Sequence, residues 1–276
     1  MSLREALAAK LRAAALDWIV PHWAAPANVG ALSTTRHGGV SAGPAAAMDL
    51  GLAAGTRGGD SPTSLSHNRQ RLAAYVPSPP IWLRQVHGNA VTVLDAATID
   101  DARAAPPVAD AAVTRERGVV CAVLTADCLP VLLADRSGTA VGVAHAGWRG
   151  MSSGVIEATV EALVALGGAR HDLVAWLGPA IGPRAFEVGA DVRDAFAAGD
   201  PGSIECFAPH AAGKWLADLY ALARRRLAAA GVAAVGGGGE CTYSDSARFY
   251  SYRRERDTGR MATLLWLDPE GSGPRL

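Results

Sequence analysis

The stretch that decides the fold is Gly118–Gly150, which reads GVVCAVLTADCLPVLLADRSGTAVGVAHAGWRG. It contains three short apolar runs, Val119–Thr125, Pro130–Ala134 and Thr139–Ala144, each bounded by polar or small residues. Runs of this length that are rich in valine are typical of buried β-strands. Arg136–Gly138 has the composition of a turn between the second and third runs. The stretch therefore predicts a succession of short strands.

Runs outside this stretch predict both helices and further strands. We expect helices at residues 1–20, 65–75, 154–166, 188–198 and 214–230, and strands around 32–35 and at 91–94, 173–177, 249–252 and 263–267. The run Gly236–Gly239 is expected to be a flexible turn. Because strands occur both at hairpin spacing and in alternation with helices, the pattern favours a mixed α+β fold. No linker splits the chain, so we expect a helical extension over residues 1–20 and a single domain over 21–276.

The bulk composition is that of an ordinary folded protein. The chain has 276 residues, of which 50% are hydrophobic and 19% are charged. This length is enough for a sizeable core. Lys and Arg together number 26, as do Asp and Glu. The balanced charge gives no reason to expect a nucleic-acid or membrane-surface partner.

The cysteines and the N-terminal residues predict a soluble, cytoplasmic protein. The four cysteines are Cys121, Cys128, Cys206 and Cys241. They form no C-x-x-C pair and no disulfide-like spacing, which favours reduced thiols. Leu3, Leu7 and Leu11 recur every four residues between charged side chains, as in an amphipathic helix and unlike a signal peptide. No apolar run reaches the roughly 18 residues that a membrane span requires.

Three polar segments place metal-binding side chains beside turns at the ends of apolar runs. They are Arg84–Gly88, Thr125–Pro130 and Val143–Gly150. Strand ends present functional groups to clefts because the adjoining loops leave room for a ligand. These segments make His87, Cys128 and His145 candidates for a common site.

Two imidazoles and a thiolate suit zinc, and three protein ligands would leave a fourth position for water, whose pKa the ion would lower towards about 7. However, the ligands lie 41 and 17 residues apart, which matches no local ligand motif. Cys128 could instead be a nucleophile with His145 or His87 as its base. A buried cysteine beside two hydrogen-bonded histidines is a further alternative. The residues alone leave these hypotheses open.

At these same segments the chain resembles the YfiH/YlmD family, long labelled multicopper polyphenol oxidases or laccase-domain proteins. The similarity extends from about Leu32 to Leu267. The matching motifs are Ser33–Ser41, Gln85–Gly88, Ala109–Thr114, Thr125–Pro130, Ala144–Gly150, Gly178–Pro183, Phe186–Gly189, Cys241–Thr242, Phe249–Arg254 and Thr258–Ala262. One departure is the segment Met48–Gly51 with the following residues 52–60. It lacks the histidine that the family usually carries there, which puts a substrate role for that loop in doubt.

The resemblance implies a layered α+β sandwich of mixed β-sheets with flanking helices. It also implies a zinc site at His87, Cys128 and His145. Family members are described as phosphorolysing adenosine, inosine, guanosine and 5′-methylthioadenosine, and as deaminating adenosine. The resemblance thus implies purine nucleosides and phosphate as small-molecule partners. The fold is also similar to that of a bacterial toxin domain with a Cys-His site, which keeps a cysteine hydrolase as an alternative.

Further residues become candidates by their position in these motifs. Asp127, beside a ligand, is predicted to act with Cys128 in catalysis, either moving protons or orienting an imidazole. The candidates for holding phosphate are Arg36, Arg149, Arg253 and Arg260. Gln85 and Thr125 are candidates for hydrogen bonds to a nucleoside. For the aromatic residues Trp148, Phe249, Tyr250 and Tyr252, core packing is expected in preference to base stacking.

The copper label can be tested by counting histidines. A blue multicopper oxidase needs a His2Cys copper and a histidine-rich trinuclear cluster. The chain has seven histidines and no His-x-His pair, so a four-copper site is not expected. Copper at the His-Cys-His site remains the alternative cofactor, because Cu²⁺ outcompetes Zn²⁺ at most such sites.

Overall fold

The computed structural model describes residues 2–51 and 61–270, so the histidine-free segment at 52–60 lies outside the described residues. Twelve strands are found in these ranges: β1 Val29–Ser33, β2 Val91–Leu94, β3 Ala111–Thr114, β4 Val120–Thr125, β5 Leu129–Asp135, β6 Val141–Ala146, β7 Leu173–Leu177, β8 Glu187–Val188, β9 Phe207–Pro209, β10 Trp215–Ala217, β11 Ala234–Gly237 and β12 Met261–Leu267. The α-helices in the same ranges are α1 Leu3–Ala13, α2 Pro62–Ala73, α3 Ile99–Ala104, α4 Trp148–Ser152, α5 Val155–Ala165, α6 Ala190–Ala197, α7 Leu219–Ala229 and α8 Tyr252–Glu255.

The strands form one large mixed sheet and two small antiparallel sheets. The large sheet has the order β11-β7-β5-β6-β3-β2, and only the β11–β7 and β2–β3 pairs at its edges are parallel. A second sheet has the order β1-β12-β4, and the third is β8-β10-β9. The three strands predicted in the stretch 118–150 are present, but β4 and β5 belong to different sheets. The short loop at residues 126–128 therefore carries the chain from one sheet to the other.

The six-stranded sheet and the β1-β12-β4 sheet pack face to face because their strands are apolar on both sides. In β4, Cys121 and Val123 lie in the cluster between the sheets, where they join Leu132 of β5 and Val143 of β6. The intervening residues, such as Val120, belong to the cluster on the opposite face. Each strand thus contributes alternate side chains to two cores.

Helices cover the two outer faces. Val155, Val160 and Leu163 of α5 are buried in the cluster that contains one face of the large sheet. Leu11 of α1 and Leu72 of α2 pack in the cluster on the outer face of the β1-β12-β4 sheet. The resulting order of layers is helix, sheet, sheet, helix, which confirms the predicted layered α+β sandwich.

Several sequence predictions of local structure are wrong. Residues 249–252 form no strand; Phe249 and Tyr250 are buried, and Ser251 caps α8 by accepting a hydrogen bond from the backbone N–H of Arg254. Gly236–Gly237 is part of the edge strand β11 and not a flexible turn, since sheet pairing uses backbone groups that glycine also carries. The predicted helix 214–230 is split into β10 and α7, with Asp218 as the cap of α7. The helix predicted over residues 188–198 begins only at Ala190, since Val188 pairs in β8.

The N-terminal helix is shorter than predicted and is part of the core. It ends at Ala13, and Ala15 has a left-handed backbone with φ of 52°. Leu7 and Leu11 are buried against the second sheet. The separate extension over residues 1–20 therefore stays a prediction that this packing does not favour. In the described ranges, every helix is too short or too polar to cross a membrane.

Candidate metal centre and cleft

His87, Cys128 and His145 converge at one end of the two sheets. His145 lies near the end of β6, Cys128 lies in the loop between β4 and β5, and His87 lies in the segment before β2. Their potential ligand atoms all lie within 4.8 Å of one another. Cys128 Sγ is 3.8 Å from His87 Nε2, and the two imidazole rings are 4.8 Å apart at 78°. No other such group of three is found among residues 2–51 and 61–270.

The geometry of this cluster fits a zinc ion. Zn–S and Zn–N distances of about 2.3 Å and 2.0–2.1 Å in a tetrahedral site separate neighbouring ligand atoms by roughly 3.3–3.6 Å. The observed 3.8 Å between sulfur and nitrogen is close to that separation. His145 is buried, Cys128 is half-buried and His87 is exposed, so the cluster is open on one side. An open side is what a fourth, exchangeable ligand requires.

The carboxylate of Asp110 holds both histidines in place. Its Oδ1 accepts a hydrogen bond from His145 Nδ1 at 2.8 Å, which leaves Nε2 as the free ring nitrogen. The same carboxylate accepts hydrogen bonds from the backbone N–H groups of Val86, His87 and Gly88 at 3.1, 2.9 and 2.8 Å. One fully buried carboxylate thus fixes the ring of His145 and the backbone that carries His87. This is the outer-shell arrangement typical of metal-binding histidines.

The position of Asp110 follows from the sheet register. Asp110 immediately precedes β3, and Ala111 pairs with Ala144 of β6. The backbone N–H of His145 donates to the carbonyl oxygen of Asp110 at 2.7 Å, which extends that pairing by one residue. Asp110 and His145 are therefore direct cross-strand neighbours on one face.

In the protein without metal, Cys128 and His145 form a charged pair. Burial raises the pKa of Cys128, but the positive charge of His145 and hydrogen bonds from both imidazoles lower it to about 6. Burial lowers the pKa of His145, whereas the charge of Cys128 and the hydrogen bond to Asp110 raise it to about 9. At neutral pH the sulfur is therefore a thiolate, which is the form that binds metals and attacks electrophiles.

A glycine next to the cluster leaves space for the sulfur. Gly147 follows β6 directly, and a Cβ atom there would lie 2.8 Å from Cys128 Sγ and 3.3 Å from His87 Cδ2. Its backbone has φ of −62°, so the conformation itself does not require glycine. The close approach of two candidate ligands does.

Asp127 adopts a left-handed backbone with φ of 97° and connects Cys128 to the C-terminal part of the chain. Its carboxylate accepts hydrogen bonds from Thr242 Oγ1 at 2.6 Å, Ser251 Oγ at 3.0 Å and the backbone N–H of Arg253 at 2.7 Å. The carboxylate that contacts an imidazole is thus Asp110, and the proton-transfer role of Asp127 stays a prediction.

The cluster opens into a cleft of about 680 Å³. Its walls include most of the predicted substrate residues, namely Gln85, Thr125, Arg149, Arg253 and Arg260. Gln85 exchanges two 2.8 Å hydrogen bonds with the backbone of Leu124 and so ties the His87 segment to β4. The arginines make the cleft cationic, in a protein whose formal net charge is zero.

Arg36 does not line this cleft. Its guanidinium donates to the carbonyl oxygens of Ala46 and Ser246 at 3.0 Å and lies 3.8 Å from Glu255. The guanidinium also lies over the ring of Tyr250. These contacts account for Arg36 as a structural residue, so the predicted phosphate role finds no support in its location.

The aromatic candidates separate into core and cleft residues. Phe249 and Tyr250 are fully buried, as expected. Trp148 is partly buried against the large core and also lines the cleft. Tyr252, for which a core position was expected, is instead 47% exposed and lines the cleft.

The role of Asp110 and the cleft position of Tyr252 were not predicted from the sequence. The signal for Asp110 was its place in the family motif Ala109–Thr114. Arg256 lines the cleft from the turn after α8. The arginine-rich run 253–256 can be interpreted from the sequence either as a small anion site or as a solvated surface.

Comparisons with known proteins agree with this architecture. The purine nucleoside phosphorylase PA4543 of Pseudomonas aeruginosa is 52% identical over 251 residues, covering 91% of this chain and 98% of that protein. The purine nucleoside phosphorylase YfiH of Escherichia coli is 49% identical over 251 residues, covering 90% and 98%. These names describe the relatives, and they align over nearly their whole length.

Solved structures and a family model lead to the same conclusion. The crystal structure of protein NMB0706 of Neisseria meningitidis has a TM-score of 0.84 at 47% identity, covering 91% of this chain and 99% of that chain. YlmD of Geobacillus stearothermophilus has a TM-score of 0.79 at 34% identity, covering 87% and 92%. A family model described as multi-copper polyphenol oxidoreductase laccase matches residues 30–268. The chain therefore belongs to this laccase-like family, the YfiH/YlmD family.

Proposed function

We propose that this protein is a zinc-dependent purine nucleoside phosphorylase that acts on adenosine, inosine, guanosine and 5′-methylthioadenosine, and that it also deaminates adenosine. The observation that carries the proposal is the His87–Cys128–His145 cluster at the base of an arginine-lined cleft. The names of the relatives, several of which are purine nucleoside phosphorylases, support the choice of reaction.

In this proposal the three clustered side chains hold Zn²⁺ through two imidazole nitrogens and one thiolate. When bound, the ion supplies Lewis acidity and lowers the pKa of a water or substrate group at the fourth position. Asp110 keeps His145 in the tautomer that leaves Nε2 free for the metal. It also fixes the backbone of His87. The chain thus presents the ligands without rearrangement.

The cationic wall of the cleft binds phosphate. Phosphorolysis breaks the C1′–N9 bond and forms a C1′–O bond to phosphate, while the departing base takes up a proton. A guanidinium carries five N–H donors. Arg253 uses one nitrogen for the carbonyl of Glu187, and Arg260 uses one for the carbonyls of Thr258 and Gly259. Their remaining N–H groups stay available to an anion.

Arg149 lines the same cleft. Its guanidinium lies 4.4 Å from the ring centre of Trp148 and is exposed. Stacking on the indole orients the group while its edge donors face outward. Arg149, Arg253 and Arg260 are therefore the proposed phosphate residues. In deamination, water adds to C6 of adenine and ammonia leaves, and no phosphate is needed.

The test is an assay of adenosine turnover with and without phosphate. Purified protein is incubated with adenosine, and the products are separated by chromatography. We expect adenine only with phosphate, inosine in both cases, and hypoxanthine from part of that inosine when phosphate is present. All three products should be lost after chelation and restored by Zn²⁺. Cys128→Ala should abolish turnover, whereas Cys241→Ser, at a half-buried cysteine outside the cleft, should behave as wild type. Turnover that persists in Cys128→Ala protein would refute the proposed site.

A cysteine hydrolase is the second candidate, because one observation favours it. His145 contacts Asp110 through Nδ1 and lies beside Cys128. A nucleophile, a histidine base and an orienting carboxylate stand in the same relation in a Cys-His-Asp triad. A hydrolase of this kind would keep its activity after chelation and lose it on alkylation of Cys128. The same preparations, assayed with chelator or iodoacetamide, separate the two mechanisms.

A copper-dependent polyphenol oxidase is the alternative that the family description suggests. Copper could bind the same two imidazoles and thiolate. Oxygen consumption with a phenol, dependent on added Cu²⁺ and absent with Zn²⁺, would identify this activity. We expect no such oxygen consumption. The described residues provide one group of three metal ligands, whereas a multicopper oxidase needs several such groups.

A further inference from the structure

Tyr252 is the exposed aromatic side chain of the cleft. It is 47% exposed and lines the cleft that contains the His-Cys-His cluster. Phe249 and Tyr250, close to it in the sequence, are fully buried. Tyr252 therefore does not serve the core that these two residues fill.

The backbone on both sides of Tyr252 is fixed relative to the metal cluster. Ser251 Oγ and the backbone N–H of Arg253 both donate to Asp127 Oδ2, at 3.0 and 2.7 Å. Asp127 directly precedes Cys128. One buried carboxylate thus anchors the residues before and after Tyr252 to the loop that carries a candidate ligand. This anchor fixes the backbone from which the ring of Tyr252 reaches the cleft.

Two guanidinium groups border the ring of Tyr252. Those of Arg256 and Arg260 lie 5.4 and 6.0 Å from the ring centre, and both residues line the cleft. The phenol ring and the guanidinium groups are planar. Heterocyclic bases stack on tyrosine rings and on arginine planes alike. Together, Tyr252, Arg256 and Arg260 form a wall suited to a flat, electron-rich ligand.

We propose that Tyr252 is the residue on which the purine ring of the substrate stacks, with Arg256 beside it. This inference rests on the proposed function and assigns the base-binding part of the same site. Stacking recognises the ring face and not the exocyclic groups. A site of this kind accepts adenine, hypoxanthine and guanine rings alike.

The test compares four single variants in steady-state phosphorolysis of adenosine, with zinc content measured on each preparation. Tyr252→Ala and Tyr252→Leu remove the aromatic ring, and Leu retains an apolar side chain. We expect both to raise KM for adenosine by about tenfold or more, as the loss of one base–aromatic contact predicts. Zinc content and kcat should stay within about twofold. Tyr252→Phe keeps the ring and should recover the wild-type KM to within about twofold.

Tyr243→Ala is the matched control, because Tyr243 is 39% exposed and does not line the cleft. It should leave KM unchanged. An unchanged KM in Tyr252→Leu, or a KM in Tyr252→Phe as high as in Tyr252→Ala, would overturn the stacking role while the wild-type activity stands. Wild-type protein that neither binds adenosine in equilibrium dialysis nor turns it over would overturn the proposed function itself, and the stacking role with it.

Discussion

Two buried aspartates organise the two sides of the cleft in different ways. Asp110 directs its carboxylate to candidate ligands, accepting hydrogen bonds from the His145 ring and from the backbone of residues 86–88. Asp127, although adjacent to Cys128 in sequence, directs its carboxylate away to Thr242, Ser251 and Arg253. Proximity in sequence to a ligand is thus a poor guide to function. The hydrogen-bond partners of the carboxylate decide which part of the site it supports.

The largest difference between Asp110 and Asp127 is expected in how their substitution changes zinc affinity. Asp110→Asn removes the negative charge that stabilises the orientation of the His145 ring. It also replaces one of the two oxygens that accept hydrogen bonds from His145 and from the backbone N–H groups of residues 86–88. We expect zinc affinity to fall by about 10–100-fold, as is usual for the outer-shell partner of a metal-binding histidine. Competition with a chromophoric chelator measures this. An affinity within about twofold of wild type would show that Asp110 is not a positioning residue.

The next largest effect on zinc affinity is expected from Gly147, the glycine beside Cys128, with both aspartates unchanged. Gly147→Ala brings a Cβ to 2.8 Å from Cys128 Sγ, so either the sulfur or the backbone must move. We expect about a tenfold loss of zinc affinity with little change in fold. Gly239→Ala is the control, because a Cβ at Gly239 meets no described atom within 4 Å. Equal zinc affinities in the two variants would show that the ligand atoms lie elsewhere.

Asp127→Asn is expected to have the opposite profile to Asp110→Asn. Because the lost hydrogen bonds connect to Ser251, Arg253 and Thr242, the free energy of unfolding should fall by about 1–3 kcal/mol. KM for adenosine should rise because the segment that carries Tyr252 loosens. Zinc affinity should stay within about twofold. Urea denaturation and chelator competition on one preparation provide both values, and a large loss of zinc affinity would remove the distinction between the two aspartates.

The smallest effect is a change in titration of the metal-free protein. Burial lowers the pKa of His145, but the Cys128 charge and the Asp110 hydrogen bond raise it to about 9. His145 should therefore remain an imidazolium at neutral pH and lose its proton as the pH rises through about 9. Asp110→Asn should lower this midpoint, whereas Asp127→Asn should not. Proton–nitrogen NMR of the imidazole follows the titration, and identical midpoints in both variants would contradict the assignment.

Several strands could be predicted because their apolar runs are continuous and bounded by turn residues. Val91–Leu94 and Leu173–Leu177 were predicted with their observed bounds. The sheet to which each strand belongs could not be predicted. Nothing in the sequence at residues 126–128 distinguishes a hairpin from a crossing between sheets. The crossing follows from the pairing of β4 with β12 and of β5 with β6 and β7.

The candidate site was predicted only in part for a related reason. His87, Cys128 and His145 could be nominated because each follows or ends an apolar run of the sequence. The run before His87 forms no strand, so His87 lies in an irregular segment before β2. Asp110 could not be assigned a role, because its contact with His145 depends on the β3–β6 register, which the sequence does not specify. A core position was expected for Tyr252 because aromatic residues more often pack in the core than stack on a ligand. Its exposure follows from the Ser251 cap that starts α8 there.

The most direct test of the account is to identify the atoms around the bound metal. X-ray absorption at the zinc edge, on protein with its metal content measured, should show one zinc per chain with one sulfur at about 2.3 Å and two imidazole nitrogens at about 2.0–2.1 Å. Cys128→Ala protein should lose the sulfur, whereas Cys241→Ser protein should retain it. A zinc shell without sulfur in the wild-type protein, or one that keeps its sulfur in Cys128→Ala, would contradict the shared site.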